Sequence, residues 1–234
     1  MKKTKEVKGK KVFDEQYFTD YYFAMTGTFQ QKDLIRNKNW FYGWFNALQS
    51  LYDFKRGDGK KALEIGCSIG AAADILHERG FDVTATDISP YAVKNAKKLL
   101  PDITFDLLDV DTPPKKSLVG KFDVIFSFEV IEHLPNPQKS LINMTSMLKK
   151  GGVLINSTPY PYDYVYFDKT HISVNYPDAW VKMYKKAGLS DVKYIQRGFV
   201  PFFYRYSKYF HITLPFGLDT RYINSPVFIY GKKK

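Results

Sequence analysis

Apolar residues recur along the chain in two rhythms, and the change from one to the other sets the domain plan. Over residues 13–54, apolar and aromatic side chains including Trp40, Phe41, Trp44, Phe45, Leu48, Leu51 and Tyr52 fall at mixed helical spacing. They predict one or two helices. From Lys61 onward, short apolar runs alternate with amphipathic segments, the pattern of a parallel sheet covered by helices on both faces. Strands are predicted at 61–65, 82–86, 103–107, 122–127, 152–157, 191–197 and 225–231. Helices are predicted at about 69–79, 90–99 and 137–149, and from Pro177 to Gly188. Ser89-Pro90 and Asn136-Pro137 each set a capping side chain before a proline at the first helical position. Gly80 and Gly151-Gly152 read as helix stops. The expected architecture is α/β: a doubly wound, seven-stranded, mostly parallel sheet with N-terminal helices and an aromatic cap inserted at 198–224. The domain plan is a basic, disordered tail over 1–12, a helical cap over 13–56, the α/β domain over 57–231 and a basic tail over 232–234.

Length and charge narrow this picture. A chain of 234 residues buries one substantial core, and no second independent catalytic domain is expected. The formal charge of +11 points toward an acidic partner, but eight of those charges come from residues 1–11 and 232–234. The body is nearly neutral, so no nucleic-acid partner is expected. The single cysteine, Cys67, allows no internal disulfide and suits a reducing compartment, with the cytoplasm as the expectation. No secretory signal is expected, since no apolar stretch follows the lysine-rich start. The most apolar region, Gly198 to Leu218, is broken by Pro201, Arg205, Lys208, His211 and Pro215, well short of the ~18 apolar residues a span needs.

In such a sheet, ligands bind at the carboxyl ends of the strands beside the point where strand order reverses. The first strand runs out through Ala62-Leu63-Glu64-Ile65 into Gly66-Cys67-Ser68-Ile69-Gly70, a carboxylate followed by a glycine turn that opens a helix. Dinucleotide folds use such turns too. A pyrophosphate, however, would be repelled by Glu64, whereas S-adenosylmethionine (SAM) has no phosphate and carries cationic sulfonium and ammonium groups. Asp87, ending the second strand, can accept from both ribose hydroxyls, and Asp109, beyond the third, from an adenine amine. Each acid alone fits a surface or capping role equally well; three at successive strand ends fit it poorly.

With these residues in view, the stretch from about Lys61 to Gly188 resembles the class I SAM-dependent methyltransferases, in their ubiquinone-biosynthesis-like small-molecule branch. The resemblance is carried by Leu63-Glu64-Ile65-Gly66-Cys67-Ser68-Ile69-Gly70, Asp87-Ile88-Ser89, Asp109, the run from Phe122 to Leu134, and Leu148-Lys149-Lys150-Gly151-Gly152. It implies a Rossmann-like methyltransferase fold with SAM as cofactor. Glu64, Gly66 and Gly70, with Cys67 among them, would shape the methionine pocket. Asp87 beside Ile88 would bind the ribose, Asp109 beside Val110 the adenine, and Phe128-Glu129 would flank the methionyl end. Ser68 departs from the family's usual middle glycine, although its N–H is expected to remain available to the ligand.

Methyl transfer to a hydroxyl needs an aligned nucleophile and a proton acceptor, for which histidine suits neutral pH. His77 reads as a surface residue, and His211 has no placed neighbour. His133 follows the fourth strand, and His171 lies in Asp168-Lys169-Thr170-His171 on the loop after the fifth, where Asp168 could orient it. Each is a catalytic candidate, against the plainer reading of a loop-fixing hydrogen bond. The expected substrate is a small molecule, with an oxygen nucleophile on an aromatic, sugar or lipid-like acceptor. The aromatic segments could cover that acceptor, touch a membrane periphery together with the basic tails, or simply pack. Alternatives are a nucleic-acid methyltransferase, a non-catalytic SAM-fold binding protein and a nicotinamide-dependent reductase. The first is disfavoured by Phe126-Ser127-Phe128-Glu129 standing where base-amine enzymes carry an acid or amide and two prolines, the second by the intact acids, and the third by Glu64. No metal site is expected, because histidines and acids show no ligand spacing along the sequence.

Overall fold

The computed structural model describes residues 13, 15–18, 29–200, 202–204 and 206–234. The basic tail expected over 1–12 lies outside them. The sheet strands are β1 (Lys61–Ile65), β2 (Asp82–Asp87), β3 (Thr104–Leu107), β4 (Phe122–Ser127), β5 (Leu148–Pro159), β6 (Leu189–Gln196) and β9 (Pro226–Lys233). Their order is β3-β2-β1-β4-β5-β9-β6. All neighbours pair in parallel except β9, which runs antiparallel to both β5 and β6. The order reverses between β1 and β4, and this places a crevice at their carboxyl ends.

Among the described residues, five helices of eight or more residues flank the sheet: α1 (Gln31–Ala47), α2 (Ala71–Glu78), α3 (Pro90–Leu99), α4 (Pro137–Met147) and α5 (Pro177–Lys186). The two expected caps are in place. Ser89 Oγ accepts from the Ala92 N–H at 3.2 Å and Asn136 Oδ1 from the Lys139 N–H at 3.1 Å. One core cluster joins α1 and α2 to one face of the sheet, through Trp44, Phe45, Phe54, Phe126 and Phe228. A second joins α4 and α5 to the other, through Leu141, Met144, Trp180 and Tyr184. Alanines at 71, 72 and 73 are buried and let α2 lie close to the strands.

Two boundaries differ from expectation for a shared reason. β5 starts at Leu148, which already pairs with Phe122, so Gly151-Gly152 sit within an irregular strand instead of closing α4. At the other end β9 continues through Lys232 and Lys233, and the Lys233 ammonium donates to the Leu148 carbonyl at 2.7 Å. The expected basic tail at 232–234 is therefore largely strand. In both places backbone pairing, of Leu148 with Phe122, Lys232 with Val153 and Lys233 with Leu189, supplies partners that the short apolar runs did not reveal.

The insertion at 198–224 holds a small hairpin, β7 (Gly198–Phe199) with β8 (Thr213–Leu214). Phe199 is buried against Trp40, Trp44 and Phe228, while Tyr204 meets Trp40 at 4.7 Å between ring centroids. His211 rests on Gly43 of α1, where a side chain would leave no room. Part of the aromatic segment thus packs as core. Phe202, Tyr206, Tyr209 and Phe210 stay exposed.

Candidate active site

The glycine loop after β1 is built from backbone geometry. Gly66 and Cys67 donate their N–H groups to the Thr86 carbonyl at 2.8 and 2.9 Å, binding the loop to β2. Gly66 has φ +77°, and a Cβ there would stand 2.3 Å from Val130 Cγ2. Only glycine satisfies both demands. Ser68 occupies the same left-handed region, with φ +46°. A glycine is usual there because that backbone strains any other residue. The Ser68 N–H donates to Asp87 Oδ2 at 2.9 Å, and the Ser89 N–H to Asp87 Oδ1 at 2.9 Å. The expectation that the Ser68 N–H stays available to a ligand is corrected: it is spent on holding Asp87.

A cavity of about 950 Å³ opens where these strand ends meet, at the upper end of the size usual for ligand sites. Gly66, Asp87, Ile88, Asp109, Val110, Phe128 and Glu129 line it, as do His133 and His171. Glu64, Cys67 and Gly70 do not. Glu64 is buried beneath the loop, with Oε2 lacking a hydrogen-bond partner, and burial pushes its carboxyl up. The Cys67 thiol is likewise buried and pushed up by desolvation, which makes it a packing residue. Gly70 starts α2 at φ +83° against Leu100 and Phe105. These three shape the wall from behind.

The donor end fits SAM on its own chemistry. Burial raises the Asp87 carboxyl and the backbone donors from Ser89 and Ser68 oppose it. Backbone amides occupy part of the carboxylate's four acceptor positions and leave room for a ligand hydroxyl. Glu129 lies at the end of β4 with φ +54°; its carboxylate accepts from Ser157 Oγ at 2.8 Å, and burial pushes its pKa up to about 7. A cationic ligand would offset that desolvation. Phe128 stacks on Phe41 at 5.6 Å and is held by the α1 aromatics.

The acceptor end is assembled from distant segments. Trp40, Phe41 and Trp44 of α1, Tyr164 and Phe167 of the turn Asp163–Phe167, and Arg221 from the insertion all line it. Sequence patterns did not single out Tyr164, Lys169 or Arg221. Lys169 donates to the Tyr166 carbonyl at 3.4 Å and Arg221 to the Tyr222 hydroxyl at 3.2 Å, local contacts that do not mark either residue as lining a cavity. The loop carrying His171 is fastened to the segment after β4. Ile172 and Ser173 donate N–H groups to the Glu132 carbonyl at 3.0 and 2.8 Å, and Ser173 Oγ to the Leu134 carbonyl at 2.6 Å. Asp168 Oδ2 lies 3.6 Å from His171 Nε2, and the two imidazole centroids are 4.9 Å apart. His77 faces solvent, away from this group. No helix among the described residues is long and apolar enough to cross a membrane.

Comparison with known proteins meets this geometry directly. A family model described as "Methyltransferase domain" matches residues 37–194. A ubiquinone biosynthesis O-methyltransferase of Coxiella burnetii is 32% identical over 104 residues, 43% of this chain and 44% of the relative. A 2-methyl-6-phytyl-1,4-hydroquinone methyltransferase of Synechocystis is 35% identical over 99 residues, 42% of this chain and 31% of the relative. The chain thus spans less than half the length of these relatives. In fold, it is similar to a SAM-dependent methyltransferase, possible histamine N-methyltransferase, of Thermotoga maritima, with TM-score 0.65, 16% identity and coverage of 94% of this chain and 98% of that one. It is also similar to phosphoethanolamine N-methyltransferase 2 of Haemonchus contortus in complex with SAM, with TM-score 0.63, 16% identity and coverage of 92% and 60%. The glycine turn, the strand-end acids and the matched segment coincide, and the chain belongs to the methyltransferase domain family, with the fold of the class I SAM-dependent enzymes.

Proposed function

We propose that the chain transfers a methyl group from SAM to an oxygen of a small, hydroxylated aromatic acceptor, with His171 taking the hydroxyl proton. SAM, when bound, supplies the methyl group; the protein aligns the acceptor and receives the proton. The observation that carries this reading is the placement of His171. It lines the cavity, and its Nδ1 is engaged by the Val165 carbonyl at 2.9 Å. A carbonyl only accepts, so Nδ1 bears the hydrogen and Nε2 keeps its lone pair for a substrate proton. In this reading Asp87 holds the ribose, Asp109 the adenine amine and Glu129 the methionyl end. The aromatic walls and the relatives named for quinone and hydroquinone chemistry support a flat acceptor. The test is release of S-adenosylhomocysteine from SAM over a panel of catechols, hydroquinones, sugars and short RNA. Turnover of a catechol or hydroquinone that falls at least ~10²-fold in His171→Ala, with unchanged affinity for S-adenosylhomocysteine, is expected. Full activity in that variant, or turnover of RNA alone, overturns it.

The exposed face of 198–224, with Tyr206 87% and Tyr209 84% accessible and Lys208 between them, supports peripheral contact of a cytoplasmic protein with an anionic bilayer. Co-sedimentation with phosphatidylglycerol vesicles that is lost in Tyr206→Ser/Tyr209→Ser is the expected result; equal sedimentation of both proteins refutes it.

A further inference from the structure

The cavity carries opposite charges on different elements. Asp87, Asp109 and Glu129 follow the strands of the sheet and supply the acids of the donor end. The cations sit on outer loops: Lys169 after β5 and Arg221 in the insertion both line the cavity. Neither lies within ion-pair distance of a carboxylate among the described residues. Arg221 Nη2 donates to the Tyr222 hydroxyl at 3.2 Å, and the Lys169 ammonium to the Tyr166 carbonyl at 3.4 Å. A guanidinium carries its N–H donors in a planar fork, so one such bond leaves most of the fork open to a ligand.

Arg221 is presented by a turn that is fixed at several points. The Leu218 N–H donates to Ser225 Oγ at 3.0 Å, and that hydroxyl donates to the Leu218 carbonyl at 3.2 Å, closing the turn at its base. Within it the Ile223 N–H reaches the Thr220 carbonyl and the Tyr222 N–H reaches Thr220 Oγ1, each at 3.3 Å. Asn224 exchanges both backbone bonds with Phe199, at 2.7 and 3.1 Å, and Phe199 is held in the core against Trp40, Trp44 and Phe228. The guanidinium itself lies over the Tyr222 ring, 5.2 Å from its centroid. A cation on a fixed base gives up less freedom on binding than one on a loose loop.

We propose that Arg221, with Lys169 as a second cation, binds an anionic substituent of the methyl acceptor, a carboxylate or a phosphate, and so sets which edge of the acceptor meets the donor. The anion is repelled by Asp87, Asp109 and Glu129 and drawn to the outer loops, which turns the opposite edge of the molecule, with its hydroxyl, toward the donor end. The guanidinium suits two-oxygen contact with either anion, and the ammonium adds a point charge. Two acids stand near these cations. Asp168 precedes Lys169, but its Oδ1 accepts from the Thr170 N–H and Oγ1, both at 2.7 Å, and its Oδ2 faces His171 Nε2 at 3.6 Å. Asp219 does not line the cavity; with burial first and Tyr162 second, it pushes the Tyr164 phenol up to about 12, so that this hydroxyl stays a donor at neutral pH. The role given to the hydroxyl rests on the reading of the chain as an O-methyltransferase, whereas anion binding does not need it.

Calorimetry on the chain saturated with S-adenosylhomocysteine tests this with 3,4-dihydroxybenzoate, its neutral methyl ester and (3,4-dihydroxyphenyl)phosphonate. All three carry the same two hydroxyls, so the charge is what differs. At least one anion is expected to bind ~10-fold or more tightly than the ester, and the tighter of the two identifies the anion that the site takes. Arg221→Gln should remove most of that preference, Lys169→Gln less of it, and Arg221→Lys should keep part, since charge returns without the fork. In turnover, Arg221→Gln should raise KM for the anion and spare kcat, the sign of a contact made equally in ground and transition states. Equal affinity of the ester and both anions in the wild type overturns the proposal whatever the variants do, and so does a preference that survives Arg221→Gln. Equal methyl transfer to acid, phosphonate and ester overturns it and leaves the O-methyltransferase reading standing. Selective binding of an anion without methyl transfer does the reverse.

Discussion

Replacing Gly66 by alanine perturbs the loop in two separable ways. The backbone stands at φ +77°, where an L-residue costs ~1–2 kcal/mol. The added methyl would also lie 2.3 Å from Val130 Cγ2, with the other Val130 side-chain carbons at 3.6 and 3.7 Å. Overpacking of that kind costs ~1–3 kcal/mol. Gly66→Ala is therefore expected to lose about 2–5 kcal/mol in urea unfolding, a large share of a domain's ~5–15 kcal/mol. Val130→Ala alone removes two half-buried methyl carbons and costs about 1 kcal/mol. In the double variant the collision is gone and only the backbone cost and the lost burial remain. The two changes should therefore be non-additive by ~1–3 kcal/mol in the favourable direction. Affinity for S-adenosylhomocysteine, read by calorimetry, should recover in part along with stability. Strict additivity, or a cost below about 1 kcal/mol for Gly66→Ala, would show that the loop yields easily and that close approach to Val130 does not define it.

Three further outcomes follow from the donor end. Asp87→Ala removes a charged acceptor worth ~1.5–3 kcal/mol to a ligand hydroxyl and orphans the Ser68 and Ser89 amides, so S-adenosylhomocysteine affinity should fall at least ~10-fold in calorimetry; unchanged affinity would remove Asp87 from the cofactor site. Ser68→Gly relieves the left-handed backbone at ~1–2 kcal/mol against ~0.4–1 kcal/mol of added unfolded-state entropy, so the melting temperature should rise slightly; a fall would mean that the serine side chain contributes more than its backbone costs. Glu129, raised to about 7 from 4.5, binds protons more tightly folded than unfolded, so its contribution to stability is present below pH 4.5 and is lost as pH rises through 7, by up to about 3 kcal/mol; Glu129→Gln should flatten that slope in urea titrations, and an unchanged slope would reject the assignment.

The donor half was legible because its signals are local. A carboxylate, a glycine turn and a helix start lie within nine residues, and Ser89-Pro90 and Asn136-Pro137 announce helices whose caps are formed as read. Local signals do not reveal depth. Glu64, Cys67 and Gly70 belong to the same motif as Gly66, yet the turn places them beneath the loop, while Ile65, Gly66 and Ser68 reach the cavity wall. The strand ends at Leu148 and Lys233 were hidden for a related reason. Leu148 pairs with Phe122 and Lys233 with Leu189 through the backbone, where side-chain hydropathy carries no information.

The acceptor half follows another logic. His133 and His171 are brought together by main-chain donors reaching the Glu132 carbonyl and by Ser173 reaching that of Leu134, contacts that span about forty residues of chain. No spacing rule along the sequence anticipates a Glu132–His133–His171 group, and for that reason the absence of ligand-like spacing was a poor guide to whether acids and histidines meet. The same architecture explains how a family can keep one donor and change acceptors. Asp87 and Gly66 are bound into the sheet by hydrogen bonds between neighbouring strands, so altering them disturbs the fold as well as the ligand. Tyr164, Phe167 and Arg221 sit on turns outside the sheet, where substitution reshapes the cavity and leaves the strand order untouched.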